Sequence, residues 1–177
     1  MINNTFIDSL FVIDKTTTFG GVPLGQRWSA LFALEKILTE YNPDVIIELG
    51  TADGGSTNFF RLFAYVHTYD NIPRASDKKP NVDYKLKDVF EKDTIKEIND
   101  IINRHDKIFL FCDNGNKPLE FATYAPLLKK GDLIFVHDYG TEIREENVKP
   151  IVKKYGLKPY EKELCDELYT LLQGWKR

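Results

Sequence analysis

Short apolar runs alternate with helix-like segments along most of this chain. The apolar runs are Val45–Leu49, Tyr65–Tyr69, Lys107–Cys112 and Leu133–His137. Between them, segments such as Thr94–Ile102 and Leu119–Leu128 carry apolar residues at the three- and four-residue spacing of a helix. Runs that are apolar on both faces, such as IFLF and LIFV, are typical of parallel strands covered on both sides. The pattern therefore predicts an α/β fold, a doubly wound and mostly parallel sheet with helices on both faces.

The two ends of the chain add further elements to this prediction. Trp28–Tyr41 has helical periodicity and is followed by Asn42-Pro43, which predicts a helix before the first strand. Two extended pieces, around Leu157–Lys162 and Leu168–Trp175, predict a terminal antiparallel strand pair that completes the sheet. The polar stretch Asn71–Asp83 contains two prolines and is predicted to be a loop.

Length and charge restrict the expected number of domains and the expected binding partners. The 177 residues predict one domain, 1–177, in which residues 1–30 form an N-terminal cap segment. A net charge of −3, from 27 acidic and 24 basic residues, gives no large basic field, so nucleic acid is not expected as a partner. The start lacks the features of a signal peptide, and no apolar run has the length of a membrane span. We therefore expect a cytoplasmic protein that has no membrane partner.

The segment VIIELGTADGGST ends an apolar run on an acid and then turns through glycines. In a doubly wound sheet, ligands bind beyond the carboxyl ends of the strands, so this turn is the leading candidate for a cofactor site. Gly50 would allow the tight turn, and Gly54-Gly55 would let the backbone approach a ligand at the next helix. A dinucleotide turn reads G-x-G-x-x-G, and its second glycine is replaced here by Ala52. This difference disfavours NAD and leaves room for a cofactor without a pyrophosphate.

Asp70 ends the next predicted strand, 20 residues after Gly50. That is about the spacing at which a carboxylate binds ribose hydroxyls. Taken singly, the residues have simpler interpretations, in which Glu48 is a helix-dipole partner, Gly50 a plain turn and Asp70 an N-cap. Taken in order on successive strand ends, they favour an adenosine-type cofactor.

The segment ELGTADGGST resembles the first motif of class I S-adenosylmethionine (SAM)-dependent methyltransferases. The resemblance runs through GVPLGQ, NPDVIIELGTADGGS, YDNIPR, KDVFEKDTIKEI, FCDNGNK and GDLIFVHDY. These motifs occur in the order seen in the branch of cephalosporin hydroxylase-like proteins and sugar O-methyltransferases. The resemblance implies a Rossmann-like methyltransferase fold, SAM as cofactor, and methyl transfer to a hydroxyl of a small molecule or sugar.

The resemblance also implies roles for individual residues on the cofactor side. Glu48 and Gly50 would shape the methionine end of the SAM pocket, and Asp70 would accept hydrogen bonds from both ribose hydroxyls. The remaining implied contacts are Gly54, Gly55 and Ser56 near the carboxylate of SAM, Asp88 at the adenine amino group, Val89 beside the adenine ring, and Asp113 facing the reactive centre.

Asp113, His137 and Asp138 follow two predicted central strands and are the candidate catalytic and metal-binding residues. Carboxylates suit Mg²⁺ or Mn²⁺, while an imidazole moves the preference toward Mn²⁺. Metal-dependent O-methyltransferases resemble this layout, although His137 stands where the related branch tends to have an acid. Without a metal, His137 becomes a candidate general base, because its unperturbed pKa of ~6.5 suits deprotonation of a hydroxyl. The structural alternatives are a hydrogen-bonded core histidine and an N-cap role for Asp138.

Several neighbouring residues are candidates for the acceptor side. Lys117 either assists proton removal or is a solvated lysine in the first turn of a helix, and the solvated role is the default for lysine. Tyr139, Thr141 and Glu142 would line the acceptor, and Gln26 and Trp28 would cover the cofactor. The acceptor would be bound by the N-terminal segment, by the loops Asn71–Asp83 and Tyr139–Asn147, or by a neighbouring subunit of a homo-oligomer.

Two other function classes remain open at the level of sequence. One is a non-catalytic module that binds SAM or a related nucleoside. The other is a nucleotide-sugar or NAD-dependent enzyme of the wider Rossmann group, for which a bound pyrophosphate would be expected. The first is distinguished by whether Asp113, His137 and Asp138 lie open beside the cofactor or bind one another.

Overall fold

The computed structural model of this protein describes residues 17–73 and 79–177. The first 16 residues of the N-terminal cap segment lie outside this described part, as does the middle of the loop Asn71–Asp83. None of the helices described there is long and apolar enough to cross a membrane.

The described elements alternate in the predicted order. The strands are β1 Thr17–Phe19, β2 Val22–Leu24, β3 Val45–Leu49, β4 Tyr65–Asp70, β5 Val82–Leu86, β6 Ile108–Cys112, β7 Leu133–Val136, β8 Lys158–Tyr160 and β9 Gln173–Lys176. The helices are α1 Trp28–Tyr41, α2 Gly55–Phe60, α3 Lys92–Arg104, α4 Lys117–Tyr124, α5 Glu145–Tyr155 and α6 Lys162–Glu167. The helix predicted over Trp28–Tyr41 is confirmed, and it ends as predicted because Asn42 adopts a left-handed C-cap conformation.

Within the described chain, seven strands form one sheet in the order β5-β4-β3-β6-β7-β9-β8, while β1 and β2 form a separate hairpin. Strands β3 to β7 pair in parallel, and β9 pairs antiparallel with both β7 and β8. The chain leaves β3 toward β4 and β5 and then returns to β6 on the other side. The strand order therefore reverses between β3 and β6, and the loops after these two strands meet at the crevice where such folds bind ligands.

Alternate residues of the central strands point into two apolar cores, one on each face of the sheet. From β3, Val45, Ile47 and Leu49 pack into the core that includes residues of α3, α4 and α5. Ile46 packs into the other core, with residues of α1 and α2. All five residues of β3 are buried, because helices cover both faces as the continuous apolar runs predicted.

The terminal antiparallel pair is confirmed, but its boundaries differ from the prediction. The helix α6 separates the two strands, and β9 begins at Gln173 and not at Leu168. The backbone between them turns through Tyr169 and Leu171, which have positive φ angles of 49° and 56° and cannot continue a strand. The apolar composition of this turn, whose residue Leu172 packs into the core, explains why it resembles a strand in the sequence.

Three other boundaries also shift. The helix predicted over Leu119–Leu128 begins at Lys117 and becomes a 3-10 turn, Ala125–Leu127, because Pro126 cannot continue an α-helix. The loop predicted at Asn71–Asp83 ends where β5 begins, at Val82. The loop predicted at Tyr139–Asn147 ends at Arg144, the residue before α5.

Candidate functional site

Gly50 lies at the point where β3 and β6 approach each other most closely. Its φ is +102°, and a Cβ atom placed on it would lie 2.3 Å from the backbone oxygen of Asp113. The amide of Asp113 donates to the oxygen of Leu49 at 2.8 Å, and the amide of Gly50 donates to Tyr69 at 2.8 Å. Glycine is therefore required here by the neighbouring strand end, before any ligand is considered.

The glycine pair that follows has two different roles. Gly54 has a φ of +89° and precedes α2, as expected for a turn into a helix. A Cβ on Gly55 would lie 2.2 Å from the oxygen of Pro23 and 2.8 Å from the Cα of Leu24. The β1–β2 hairpin therefore requires a glycine at position 55, and a cofactor contact at this position stays a prediction. Ser56, partly buried, is next in the first turn of α2.

Glu48 is fully buried beneath this turn. Its Oε2 accepts hydrogen bonds from the hydroxyls of Thr57 in α2 and of Thr68 in β4, the latter at 2.6 Å. Its Oε1 is buried without a hydrogen-bond partner among the described residues. Burial raises the pKa of Glu48 to about 8, against the lowering effect of the two hydroxyls. Glu48 therefore fixes α2 against the sheet and offers no exposed surface to a ligand.

We expect the variant Glu48→Gln to gain stability over the native chain as the pH rises. The pKa of Glu48 is higher in the folded than in the unfolded chain, so the folded chain binds more protons between about pH 4.5 and pH 8. The contribution of Glu48 to the free energy of unfolding is complete below about pH 4.5 and is lost as the pH rises to about 8. This loss lowers the free energy of unfolding of the native chain by roughly 2–4 kcal/mol. Urea unfolding at pH 5 and pH 8 measures this difference. Exposed Glu35→Gln is the control, and equal pH dependence of all three proteins would contradict the prediction.

Asp70 connects β4 to the turn after β3. Its Oδ2 accepts from the amide of Ala52 at 2.9 Å, and its Oδ1 accepts from the amide of Ile72 at 2.9 Å. Residues 71–73 are not helical, so Asp70 is not an N-cap there; its bond to the amide two residues ahead is that of an Asx turn. The apolar side chains of Ile72 and Leu86 beside it are 47% and 62% exposed. Sequence analysis missed both, because an exposed apolar residue has no distinctive pattern in a sequence.

The structure separates the roles of Asp88 and Val89. Asp88 is partly exposed, and its Oδ1 accepts from the amide of Phe90 at 2.9 Å. Val89 is fully buried in the core, where its backbone oxygen accepts from the hydroxyl of Tyr124. The side chain of Val89 therefore has no exposed surface for an adenine ring, contrary to the expectation.

The structure brings Asp113, His137 and Asp138 together at the ends of β6 and β7. One ligand atom from each of the three residues lies within 4.8 Å of the other two. His137 Nδ1 is 3.1 Å from Asp113 Oδ1 and 3.2 Å from Asp138 Oδ2. We call these three residues the carboxylate–histidine cluster. Asp138 has a φ of +57° and is not an N-cap, since α5 begins after Arg144.

Lys117 reaches the same cluster from the first residue of α4. Its Nζ is 3.4 Å from Asp113 Oδ1, 3.1 Å from Asp138 Oδ2 and 2.6 Å from Glu142 Oε2. The side chain is only 5% exposed, so the solvated role expected from the sequence is wrong. Burial alone would lower the pKa of Lys117, but the carboxylates outweigh it and raise this pKa above its ordinary value.

The charges of the cluster shift the protonation of His137 as well. Burial would lower the pKa of His137, but its contacts with Asp113 and Asp138 raise it to about 9. Burial opposes the reverse shift in Asp138, whose pKa falls to about 2 because of His137 and Lys117. The two carboxylates therefore favour the imidazolium form of His137 over the free base that general-base catalysis would need.

Gln26 connects the N-terminal hairpin to the cluster. Its Nε2 donates to Asp113 Oδ2 at 2.6 Å, and the residue is 1% exposed. This contact joins residues 87 positions apart, so no local sequence pattern could have revealed it. Trp28 is 44% exposed at the start of α1.

The donor set of the cluster fits a divalent cation. Two carboxylates and one imidazole converge, and the imidazole favours Mn²⁺ over Mg²⁺. To act as a ligand, Nδ1 of His137 would have to lose its proton. Each carboxylate of the cluster also already contacts a donor of this chain, His137, Lys117 or Gln26, and a cation would have to compete with these contacts.

Comparison with known proteins gives relatives for most of the chain. A rhamnosyl O-methyltransferase from Mycobacterium tuberculosis is 27% identical over 161 residues, which cover 82% of this chain and 64% of that protein. A rhamnosyl O-methyltransferase from Mycobacterium leprae is 24% identical over 163 residues, covering 83% of this chain and 69% of that protein. The chain thus spans slightly less than two thirds of the length of the first of these relatives.

Solved structures share the fold at lower identity. The Mg- and SAM-bound form of CmcI superposes with a TM-score of 0.68 at 16% identity, covering 89% of this chain and 76% of that one. A putative caffeoyl-CoA O-methyltransferase from Staphylococcus aureus gives 0.56 at 18% identity, covering 100% and 93%. The family model described as rhamnosyl O-methyltransferase/CmcI matches residues 12–161, well over half of the sequence. This chain therefore belongs to the rhamnosyl O-methyltransferase/CmcI family.

Proposed function

We propose that this chain binds SAM and transfers its sulfonium methyl group to a hydroxyl of a small molecule or sugar. The observation that carries the proposal is the position of the carboxylate–histidine cluster, directly beside the turn at Gly50, where the strand order reverses. Ligands of such folds bind in this crevice. Membership of the family, whose mycobacterial members are named rhamnosyl O-methyltransferases, supports the same reaction and a sugar as acceptor.

The cofactor would lie along the ends of β3, β4 and β5. Each carboxylate oxygen of Asp70 accepts one backbone amide and keeps a lone pair that ribose hydroxyls can use. Exposed Ile72 and Leu86 provide apolar surface on either side of it for an adenine ring. Asp88, partly exposed after β5, would accept a hydrogen bond from the adenine amino group. The methionine end would then point toward Asp113.

Methyl transfer is an in-line displacement at the sulfonium methyl. The chain therefore has to align the donor with the acceptor oxygen and remove the proton of the acceptor hydroxyl. Asp113 and Asp138 are 20% and 23% exposed, and either could accept the hydroxyl proton as the acceptor oxygen bonds to the methyl carbon and the methyl–sulfur bond of SAM breaks. The charges of Lys117 and His137 beside them would stabilise the acceptor oxygen as negative charge develops on it. A divalent cation held by Asp113, His137 and Asp138 would lower the pKa of the hydroxyl and orient it.

A cavity of about 250 Å³ begins at Tyr139, the residue after Asp138. Its walls are aromatic and aliphatic, and its polar lining residues are Glu145, Lys149, Lys162 and Gln173. Binding sites for small molecules commonly combine an apolar wall with a few polar groups. Part of the acceptor would lie here, and the acceptor-side residues Thr141 and Glu142, which follow Tyr139 in the same loop, are exposed.

One observation favours a second candidate function, a module that binds SAM without transferring the methyl group. His137, Asp113, Asp138 and Lys117 contact one another, as expected if the cluster were purely structural. An NAD-type site is less well supported. The amide of Ala52, which belongs to the turn that would hold a pyrophosphate, donates to Asp70 instead.

Calorimetry with SAM, its demethylated product and NAD, with and without Mn²⁺, tests the cofactor. We expect micromolar binding of SAM and of the demethylated product, and none of NAD. Labelled SAM offered with deoxysugar glycosides then tests methyl transfer, with and without a chelator. No response to SAM would end the proposal, while SAM binding without transfer to any acceptor would favour the non-catalytic module. Chelator-resistant transfer would exclude an essential metal.

We expect Asp70→Ala to weaken SAM binding by about 1–3 kcal/mol, because a charged hydrogen-bond acceptor is lost from the ribose. Calorimetry measures the change, and the thermal midpoint of the variant shows whether the turn at Ala52 survives loss of its hydrogen bond to Asp70. Asp106→Ala, an exposed acid before β6, is the control. Unchanged SAM affinity in folded Asp70→Ala would remove this residue from the cofactor site.

A further inference from the structure

The ammonium group of Lys117 contacts two of the atoms that would bind a metal ion. Its Nζ contacts Asp113 Oδ1 and Asp138 Oδ2, and these are the same two oxygens that contact His137 Nδ1. An ammonium group and a divalent cation at these same oxygens repel each other, so binding of one weakens binding of the other. The lysine is also almost completely buried, so it is not a surface side chain that only passes near the cluster.

Glu142 offers Lys117 a carboxylate contact outside the carboxylate–histidine cluster. Its Oε2 is 2.6 Å from Lys117 Nζ, the shortest of the three carboxylate contacts of the lysine. Glu142 is not part of the carboxylate–histidine cluster, and its side chain is 57% exposed. The lysine can therefore release Asp113 and Asp138 and keep its contact with Glu142. Its long, flexible stem makes such a shift inexpensive compared with movement of the backbone.

We propose that the ammonium group of Lys117 is the cation bound by the carboxylate–histidine cluster when no metal is present. A divalent metal binds to the cluster only by displacing this ammonium group toward Glu142. The inference rests on the proposed function, which assigns the cluster to the acceptor side. In the absence of metal, the lysine supplies positive charge beside the acceptor oxygen. When a metal is present, the lysine lowers the affinity of the cluster for it. The metal concentration then decides whether the cluster binds the metal or the ammonium group of Lys117.

Binding of Mn²⁺ to the full chain, followed by electron paramagnetic resonance and calorimetry without SAM, tests this inference. We expect Lys117→Met to bind Mn²⁺ at least tenfold more tightly than the native chain, because one like charge within about 4 Å of the ion is removed. Lys96→Met is the matched control, since Lys96 is 75% exposed and pairs with Asp100 on α3. Its Mn²⁺ affinity should equal that of the native chain.

Glu142→Gln distinguishes displacement from a general field effect. In the native background it should weaken Mn²⁺ binding, because the displaced lysine loses its alternative partner. In the Lys117→Met background the same change should have no effect, and this non-additivity is the signature of coupling through the lysine. An equal weakening in both backgrounds would show that Glu142 acts on the ion directly, which would overturn the displacement toward Glu142.

Removal of a buried ammonium can destabilise the fold, so Lys117→Gln is prepared as a second variant and both are checked by thermal unfolding. Mn²⁺ should raise the thermal midpoint of either variant more than that of the native chain, because tighter ligands stabilise the folded state more. Equal or weaker Mn²⁺ binding in both variants, or none in any of the proteins, would overturn the inference. SAM calorimetry on the same samples tests the proposed function separately, so each can fail without the other.

Discussion

We expect Gly50→Val to lower the free energy of unfolding by about 3–5 kcal/mol, one of the largest effects available from a single substitution in this chain. The new Cβ would lie 2.3 Å from the oxygen and 2.6 Å from the carbonyl carbon of Asp113, which are backbone atoms that cannot rotate away. In addition, a φ of +102° is strained for any residue with a side chain, and most of all for a β-branched one. Urea unfolding measures the change.

Gly115→Ala is the matched control, because Gly115 is in the same crevice after β6. A Cβ on it meets nothing within 4 Å, and its φ lies outside the positive range, so we expect almost no loss of stability. Gly50 also belongs to the turn after β3, one of the strand ends along which the cofactor would lie. Loss of SAM binding should therefore accompany loss of stability, and a stable Gly50→Val that still binds SAM tightly would show that β3 and β6 can separate without cost.

The second large effect is expected for Asp113→Asn, which should reduce the rate of methyl transfer about 10²–10⁴-fold. Asp113 contacts His137, Lys117 and Gln26, so a neutral amide removes the charge that aligns two cations and one amide beside the acceptor. SAM affinity should change little, since the side-chain hydrogen bonds proposed above for the cofactor are made by Asp70 and Asp88. Transfer of labelled methyl groups and calorimetry with SAM measure the two quantities on one preparation.

Asp106→Asn is the control for this change, because Asp106 is an exposed acid just before β6, at the opposite end of the same strand. It should retain the native rate and the native SAM affinity. Full activity in Asp113→Asn would remove the cluster from the reaction altogether. A parallel loss of SAM affinity would instead assign Asp113 to the cofactor and not to the acceptor.

Hydrophobic periodicity and short sequence motifs were sufficient to predict the strands, the turn and the acids that form the site. The apolar run of β3, the acid at the end of β4 and the glycine turn between them were all identified from the sequence. Parallel strands end at the same edge of a sheet, so acids that follow β6 and β7 had to be neighbours, and the approach of Asp113 to His137 and Asp138 could be predicted. The helix α1 was predicted to the residue because its periodicity and its end signal agree.

Predictions failed where the outcome depends on contacts between residues distant in sequence. At Gly55 the turn motif does not reveal the backbone contact with a hairpin about 30 residues earlier in the chain. Val89 has the right position for an adenine contact, but the core encloses its side chain. At Leu168 the apolar composition indicated a strand, but the chain there turns through left-handed residues before β9.

By itself, the sequence determined the doubly wound order of strands, the crevice at the switch point and the presence of two acids and a histidine on its edge. These features follow from periodicity and from the geometry of parallel sheets, which act over short stretches of chain. Only the tertiary structure decided that Lys117 contacts the cluster, that Gln26 binds Asp113 and that two carboxylates raise the pKa of His137. Burial and charge at one point depend on every element that packs there, and no single stretch of sequence contains that information.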